Sequence, residues 1–140
     1  MESHTKDSKR KYVFDVSIIV PCKKIDSYVE RCIFYCKHHF KGAELIVVTD
    51  ADCPGYPAAK RNWAMARAKG SVYAFLDSDA FPSSNWLTCA LWWLDDAQAV
   101  CGPGVLPPDA PYGECVADVV YQMLPYSYRV VPRLPRIVSE

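Results

Sequence analysis

The sequence comprises 140 residues, of which 51% are hydrophobic and 23% are charged, a globular composition that excludes a disordered or collagen-like chain. This length suits one compact domain built around a single core. No apolar run reaches the roughly 18 residues of a membrane span, and the basic start lacks the apolar stretch of a signal peptide. We therefore expect a soluble domain located in the cytoplasm.

The charges balance overall, at 16 basic and 16 acidic residues, but they are unevenly distributed. Residues 1–42 hold nine basic and five acidic groups, whereas residues 43–118 hold four basic and ten acidic groups. An acidic middle segment favours cation binding over nucleic-acid binding, which requires a basic face. The seven cysteines are odd in number and irregularly spaced, so reduced thiols are expected.

Short apolar runs along the chain predict buried strands. They lie at residues 16–20, 45–49 and 72–76, with a weaker fourth run at 99–101. Helical patterns separate the strands, and each strand is apolar on both faces. We therefore predict an α/β fold with a mostly parallel sheet and helices on both of its faces.

Helical periodicity follows each of the first three strands. The first helix has Ser27 and Glu30 at the spacing of a capping box. The second spans about residues 58–69, and Gly70 stands where a glycine commonly ends a helix. A third helix carries Leu87.

The sequence predicts a main domain flanked by two irregular segments. Residues 1–12 are polar and aperiodic, which predicts a flexible leader. The domain spans residues 13–125 and includes one more helix at 114–124. Residues 126–140 form a basic, proline-punctuated tail, whose three arginines we expect to be solvated.

Polar residues end all three main strands, at residues 21–23, 50–52 and 77–79. The carboxyl ends of parallel strands meet at one edge of a sheet, where ligands bind. The four carboxylates gathered there need a cation or hydrogen-bond donors to offset their repulsion. Mg²⁺ or Mn²⁺ suits oxygen ligands and is often held by one or two carboxylates together with phosphates.

Four segments of the chain resemble, in their order and spacing, the donor-binding half of the family 2 glycosyltransferases. They lie at residues 16–21, 44–50, 60–70 and 75–79. The resemblance covers about residues 16–105. It implies a Rossmann-like GT-A fold that binds a nucleotide-diphosphate sugar, typically a UDP-sugar, with Mg²⁺ or Mn²⁺. In that family the complete enzyme performs inverting transfer of the sugar to an acceptor hydroxyl.

The resemblance also implies roles for particular residues. Asp50 matches the acidic residue that recognises the nucleobase, and Arg61 matches an arginine that lines the donor pocket. The remaining donor-binding positions are Pro21, Cys22, Asp77 and Ser78, and Asp79 is the metal ligand. The family's catalytic Asp or Glu lies in a later segment that nothing before Glu140 matches. The catalytic base is therefore unassigned, and a partial enzyme is the hypothesis.

Partners follow from the same resemblance. They are a nucleotide-sugar donor and a glycan, lipid or other hydroxyl acceptor, without nucleic acid. No transmembrane segment is expected, and the tail arginines leave peripheral membrane association open.

Two other features invite a functional interpretation. Cys32, Cys36, His38 and His39 cluster near one helix, but they lack the usual zinc-ligand spacing, so core thiols are favoured. Tryptophans 86, 92 and 93 could stack on a sugar, but a core or interface role is more common at this spacing.

Two alternative functions remain open. The first is a non-catalytic binding or interaction module that keeps the donor fold without turnover. The second is a sugar-nucleotide pyrophosphorylase, which the absence of a glycine between Pro21 and Gly42 disfavours. The same absence disfavours a dinucleotide oxidoreductase.

Overall fold

The computed structural model describes residues 12–102 of the chain. The chain divides into two compact units, Met1–Leu91 and Trp92–Glu140. The first unit is therefore described over residues 12–91 and the second over residues 92–102.

The described residues form a short 3-10 turn, three strands and three α-helices. In chain order these are the turn Val13–Asp15, β1 (Val16–Pro21), α1 (Ser27–His39), β2 (Glu44–Val48), α2 (Pro57–Met65), β3 (Val72–Phe75) and α3 (Trp86–Trp93). The strands are parallel and lie in the order β2-β1-β3. The predicted α/β fold with a parallel sheet is confirmed, and each of the three strands agrees with its predicted bounds within one residue.

The central strand β1 is buried along its whole length. Residues of β1 therefore pack on both faces of the sheet, as predicted for a covered parallel strand. One face carries Ile19, which clusters with Val48 of β2 and Ala64 of α2. β3 differs, because its side chains Tyr73 and Phe75 are exposed, so the prediction of cover on both faces is wrong for this strand.

The strand order makes β1 the point at which the chain reverses its direction across the sheet. The chain passes from β1 to one neighbour through α1, and from β2 it crosses over β1 to β3 through α2. Crossovers between parallel strands are almost always right-handed, so two crossovers in opposite directions are expected to place α1 and α2 on opposite faces. A ligand crevice is expected at such a reversal, beyond the carboxyl ends of β1 and β3.

The cap of α1 differs from the predicted capping box. The capping residue is Asp26, whose carboxylate accepts a hydrogen bond from the Val29 N–H at 3.0 Å. Ser27 is instead the first helical residue. An aspartate in extended conformation one residue earlier already satisfies this N–H, so the serine hydroxyl is not needed.

The second helix ends at Met65, earlier than the predicted Lys69. The N–H groups of Lys69 and Gly70 donate instead to the Glu44 carboxylate at 2.8 Å and to the Ser17 hydroxyl at 2.8 Å. Side chains of β1 and β2 thus satisfy the backbone groups that a longer helix would have satisfied.

Gly70 therefore has another role than ending the helix. Its φ is not positive, and a Cβ there would lie 2.6 Å from the Ser17 backbone nitrogen. A glycine is needed because the chain passes directly against the start of β1.

The remaining predictions concern the residues before β1 and those after α3. Residues 99–101 form no strand, and Val100 is exposed, so the predicted fourth strand is wrong. The predicted helix at 114–124, the tail at 126–140 and residues 1–11 of the leader lie outside the described part of the chain. No helix within residues 12–102 combines the length and apolar character needed to cross a bilayer.

Candidate functional site

Three loops meet at the carboxyl edge of the sheet, and two of them are joined by backbone hydrogen bonds. The Cys22 N–H donates to the Val48 carbonyl at 2.9 Å, and the Asp50 N–H donates to the Lys23 carbonyl at 3.0 Å. The loop after β1 and the loop after β2 therefore hold each other in place.

The loop after β3 is fixed against α1. The Arg31 guanidinium lies over the Phe81 ring, 4.4 Å from its centroid, and the rings of Tyr35 and Phe81 are 5.9 Å apart. The Cys32 thiol also lies 3.9 Å from the Asp77 carbonyl, to which it donates. These contacts hold residues 77–81 beside the start of α1.

Asp50 is paired with a buried lysine of α2. The Lys60 ammonium is 2.5 Å from Asp50 Oδ1 and also donates to the Gly55 carbonyl at 2.6 Å. The Lys60 side chain is 2% exposed, whereas that of Asp50 is 49% exposed. Oδ1 of Asp50 thus offsets an internal charge, and about half of the Asp50 side chain remains exposed to solvent.

Asp77 is paired with the next residue of the same helix. Arg61 Nη2 donates to Asp77 Oδ1 at 3.0 Å. Arg61 Nε is buried and has no hydrogen-bond partner among the described residues. Because Lys60 and Arg61 are consecutive, α2 binds one carboxylate from the loop after β2 and another from the loop after β3.

Asp52 is held within its own loop. Its Oδ2 accepts hydrogen bonds from the Thr49 N–H at 2.9 Å and the Thr49 hydroxyl at 2.8 Å. These two bonds, the backbone one first, lower the pKa of the Asp52 carboxyl below its ordinary value. This carboxylate therefore shapes the turn after β2.

Asp79 is the fourth carboxylate at this edge. It is exposed and lies in a turn closed by the hydrogen bond from the Ala80 N–H to the Asp77 carbonyl, at 3.0 Å. No hydrogen bond or ion pair joins its carboxylate to another side chain in residues 12–102. Ser78, between the two aspartates, is half-buried.

The structure thus shows how most of the repulsion among the four carboxylates is offset. Asp50, Asp52 and Asp77 are each offset by donors of the protein itself. Asp79 alone among the four has no such donor in the described part of the chain. Its negative charge is therefore not offset by any hydrogen bond or ion pair within residues 12–102.

Pro21 ends β1 and Cys22 follows it, and both residues are buried. Burial raises the pKa of the Cys22 thiol, and the nearby Asp26 carboxylate raises it further. Cys22 is therefore protonated at neutral pH, which disfavours a nucleophilic role. The charges of Lys60 and Asp50 also act on this thiol, which therefore lies near that pair.

Cys32 and Cys36 are core residues, as predicted, because both are buried in α1. Their mutual hydrogen bond, followed by burial, raises the pKa of the Cys32 thiol. His38 and His39 stack on the rings of Phe34 and Tyr35 instead, at 5.8 Å and 5.6 Å.

The tryptophans of α3 lie in different surroundings. Trp86 packs against the Phe40 ring at 5.9 Å. Trp92 and Trp93 are exposed and meet edge to face at 4.7 Å.

Sequence reasoning identified both aspartates bound by α2 and also Arg61, but it missed Lys60. The residue is part of the segment that carries the resemblance, yet nothing in its local pattern indicates burial. Once its burial is known, the partner of Lys60 can be inferred from the sequence. A fully buried lysine requires a carboxylate partner, and Asp50 lies in the loop that leads into α2.

Comparison with known proteins adds no family assignment. No family model matches the chain, and no curated protein or solved structure shows significant similarity to it. Among residues 12–102, no three His, Cys, Asp or Glu side chains lie close enough together to hold a metal ion. Within this part of the chain, a cation at Asp79 would therefore need further oxygen ligands besides that carboxylate.

Proposed function

We propose that this chain binds the nucleoside diphosphate of a sugar donor, in the manner of the donor-binding half of a family 2-like glycosyltransferase with the GT-A fold. The fold supports this proposal through three parallel strands whose order reverses at β1. The observation that carries it is the distribution of partners among the four carboxylates. Asp50 and Asp77 form ion pairs with α2, and Asp52 accepts two hydrogen bonds from Thr49. Asp79 is exposed and without a donor partner among the described residues.

We assign the residues at this edge of the sheet to different parts of the nucleoside. Asp50 Oδ2 is assigned to the N–H of a nucleobase, because Lys60 occupies the other oxygen and the side chain is half-exposed. Asp77 and Ser78, in the loop after β3, are assigned to the ribose, and Arg61 orients Asp77 at 3.0 Å. Pro21 and Cys22 form the buried floor on which the nucleoside lies.

The donor set at Asp79 fits Mg²⁺ or Mn²⁺ bound together with a ligand. A single exposed carboxylate is too little for a closed metal site, but these ions commonly combine one or two carboxylates with phosphate oxygens and water. When bound, the ion would stabilise the negative charge that develops on a departing diphosphate.

Inverting transfer to an acceptor hydroxyl also requires a general base. The assigned residues of this chain bind and orient the donor, and none is assigned as that base. A donor-binding module without turnover is therefore the alternative that the experiment below must separate from an enzyme.

Calorimetric titration with UDP and with GDP, each in Mn²⁺ and in EDTA, tests the proposal. We expect UDP to bind in Mn²⁺ and at least tenfold more weakly in EDTA. Asp79→Asn should bind UDP in Mn²⁺ no better than the unaltered protein does in EDTA. Glu30→Gln is the control, because it removes one exposed carboxylate from α1.

Each result has a defined meaning. Absence of binding by a folded protein contradicts the proposal, as does equal affinity of Asp79→Asn. Metal-dependent binding without release of sugar from a UDP-sugar, in the presence or absence of acceptors, would favour the non-catalytic alternative.

A further inference from the structure

Strand β3 lies at one edge of the sheet and carries two exposed aromatic side chains. Among residues 12–102 it pairs with β1 alone, so its outer edge has no strand partner in this part of the chain. Tyr73 and Phe75 are each 44% exposed and lie on the same face, since side chains two residues apart share a face of a strand. The strand contains neither a charged residue nor a proline, the features that commonly prevent an edge strand from pairing.

The backbone groups that point outward from β3 are those of Tyr73 and Phe75. The Leu76 N–H donates to the Ile19 carbonyl of β1 at 3.1 Å. Because the backbone groups of consecutive residues point to opposite edges of an extended strand, those of Phe75 and Tyr73 point away from β1. The two residues with exposed rings therefore also supply the outward N–H and C=O groups of this edge.

The sequence around Ala74 has the same pattern in both directions. Tyr73 and Phe75 flank it as aromatic residues, and Val72 and Leu76 follow outward as aliphatic residues. In an antiparallel pair of such strands with the two Ala74 residues opposite each other, each Tyr73 would face Phe75 of the second copy. Both of these pairs would be of the hydrogen-bonded kind, in which opposite residues exchange two N–H···O bonds. The edge is thus complementary to itself, as a two-fold interface requires.

The charges beyond the two ends of β3 favour the same arrangement. Lys69 lies five residues before Ala74 and Asp79 lies five residues after it, and both are exposed. In the antiparallel pair, the basic end of each strand would lie at the acidic end of the other. A parallel pair would instead bring like charges to the same end.

We propose that the outer edge of β3 is the interface of a two-fold dimer, in which two copies of this chain pair their β3 strands antiparallel about Ala74. The sheets of the two copies then form one continuous sheet. Tyr73 and Phe75 of both copies lie on one face of it, where the cross-strand aromatic pairs cover each other. The inference does not depend on the proposed function, because the pairing strands contain none of the residues assigned to the donor.

Sedimentation velocity measures whether the chain forms this dimer. Because small interfaces bind weakly, the measurement extends to high micromolar protein concentration, where we expect a dimer. Tyr73→Lys combined with Phe75→Lys removes both aromatic pairs and sets like charges opposite each other, so it should weaken the dimer by about tenfold. Tyr28→Lys is the control, because it adds a charge at an exposed tyrosine of α1, and it should leave the dimer unchanged.

A second double variant tests the alignment of the strands. Tyr73→Lys combined with Phe75→Glu places opposite charges across the interface only when residue 73 of one copy faces residue 75 of the other. It should therefore dimerise more strongly than Tyr73→Lys combined with Phe75→Lys. Circular dichroism verifies that both variants fold, as expected for half-exposed side chains.

Hydrogen exchange of the unaltered protein provides a test that needs no variant. The amides of Tyr73 and Phe75 should exchange more slowly as the protein concentration rises, because the dimer engages them in hydrogen bonds. Three results would overturn the proposal. They are a protein that stays monomeric throughout, a dimer that both double variants leave unchanged or weaken equally, and exchange at these two amides that is independent of concentration.

Discussion

The pair formed by Lys60 and Asp50 joins a buried charge to a half-exposed one, and this asymmetry has consequences for stability. If Asp50 is replaced by Ala, the buried ammonium keeps the Gly55 carbonyl but loses its counter-charge. If Lys60 is replaced by Met, water can reach the remaining carboxylate. Removing the exposed partner should therefore be the more costly change.

We expect Asp50→Ala to lower the free energy of unfolding by about 3 kcal/mol, as is typical when one partner of a buried pair is removed. Lys60→Met should lower it by only about 1 kcal/mol, since a methionine fills a similar volume. Urea denaturation measures both. The double variant should be more stable than Asp50→Ala alone, and the opposite ranking would contradict this account of the pair.

The link between α2 and β3 depends on close approach of the backbone at Gly70. A Cβ at this position would lie 2.6 Å from the Ser17 nitrogen and 2.7 Å from the Asp15 carbonyl oxygen. Neither backbone atom can move without displacing the first residues of β1. Gly70→Ala should therefore destabilise the protein by about 1–3 kcal/mol.

Gly102→Ala is the control for this substitution, because nothing lies within 4 Å of the Cβ that it would add. It should leave the midpoint of thermal unfolding nearly unchanged. If Gly70→Ala and Gly102→Ala have equal midpoint temperatures of thermal unfolding, the backbone at the start of β1 can move to accommodate the added Cβ.

The same connection makes stability depend on pH through Glu44. Its carboxylate accepts the Ser17 hydroxyl at 2.5 Å and the Lys69 N–H at 2.8 Å. These bonds, the one from Ser17 first, lower the pKa of Glu44 from its ordinary value of 4.5. A lowered pKa in the folded state means that the stabilisation is complete above pH 4.5 and is lost as the pH falls through the folded value.

We therefore expect the free energy of unfolding to fall below pH 4.5 more steeply in the unaltered protein than in Glu44→Gln, whose amide does not titrate. Denaturant titrations from pH 7 to pH 3 give both slopes. Asp15→Asn at the same end of the sheet should retain the steep fall. Parallel curves for the unaltered protein and Glu44→Gln would assign the acid sensitivity elsewhere.

For the molecule as a whole, the sequence correctly predicts the elements that depend only on residues close together in the chain. The strands are correctly placed because β-branched runs and the proline or aspartates that follow them are local signals. The end of α2 is wrong because it is set by Ser17 and Glu44, which are remote in sequence from Gly70 and Lys69. The role of Lys60 is missed for the same reason, since its burial and its partner arise only when α2 packs beside the loop after β2.

The candidate site likewise combines features that the sequence predicts with features that arise only from tertiary contacts. Sequence order brings Asp50, Asp77 and Asp79 to one edge of the sheet, because parallel strands end together. It does not reveal which of these carboxylates the protein neutralises itself. That distinction follows from the adjacent Lys60 and Arg61, and it separates a carboxylate available to a cation from those that hold the loops.

A ligand bound at this edge should also stabilise the fold that forms it, since its contacts come from three loops that meet only in the folded chain. Binding to the native state alone adds about 2.7 kcal/mol when the ligand is present at 100 times its Kd. For a chain of this size, UDP with Mn²⁺ should therefore raise the unfolding temperature by at least about 5 °C. Differential scanning calorimetry measures the shift, with Mn²⁺ alone and UDP in EDTA as controls. Asp79→Asn should unfold at the same temperature with and without UDP in Mn²⁺, because in the proposed binding mode the cation would join the diphosphate to the protein through this carboxylate. A full shift in that variant would place the bound diphosphate away from the turn after β3.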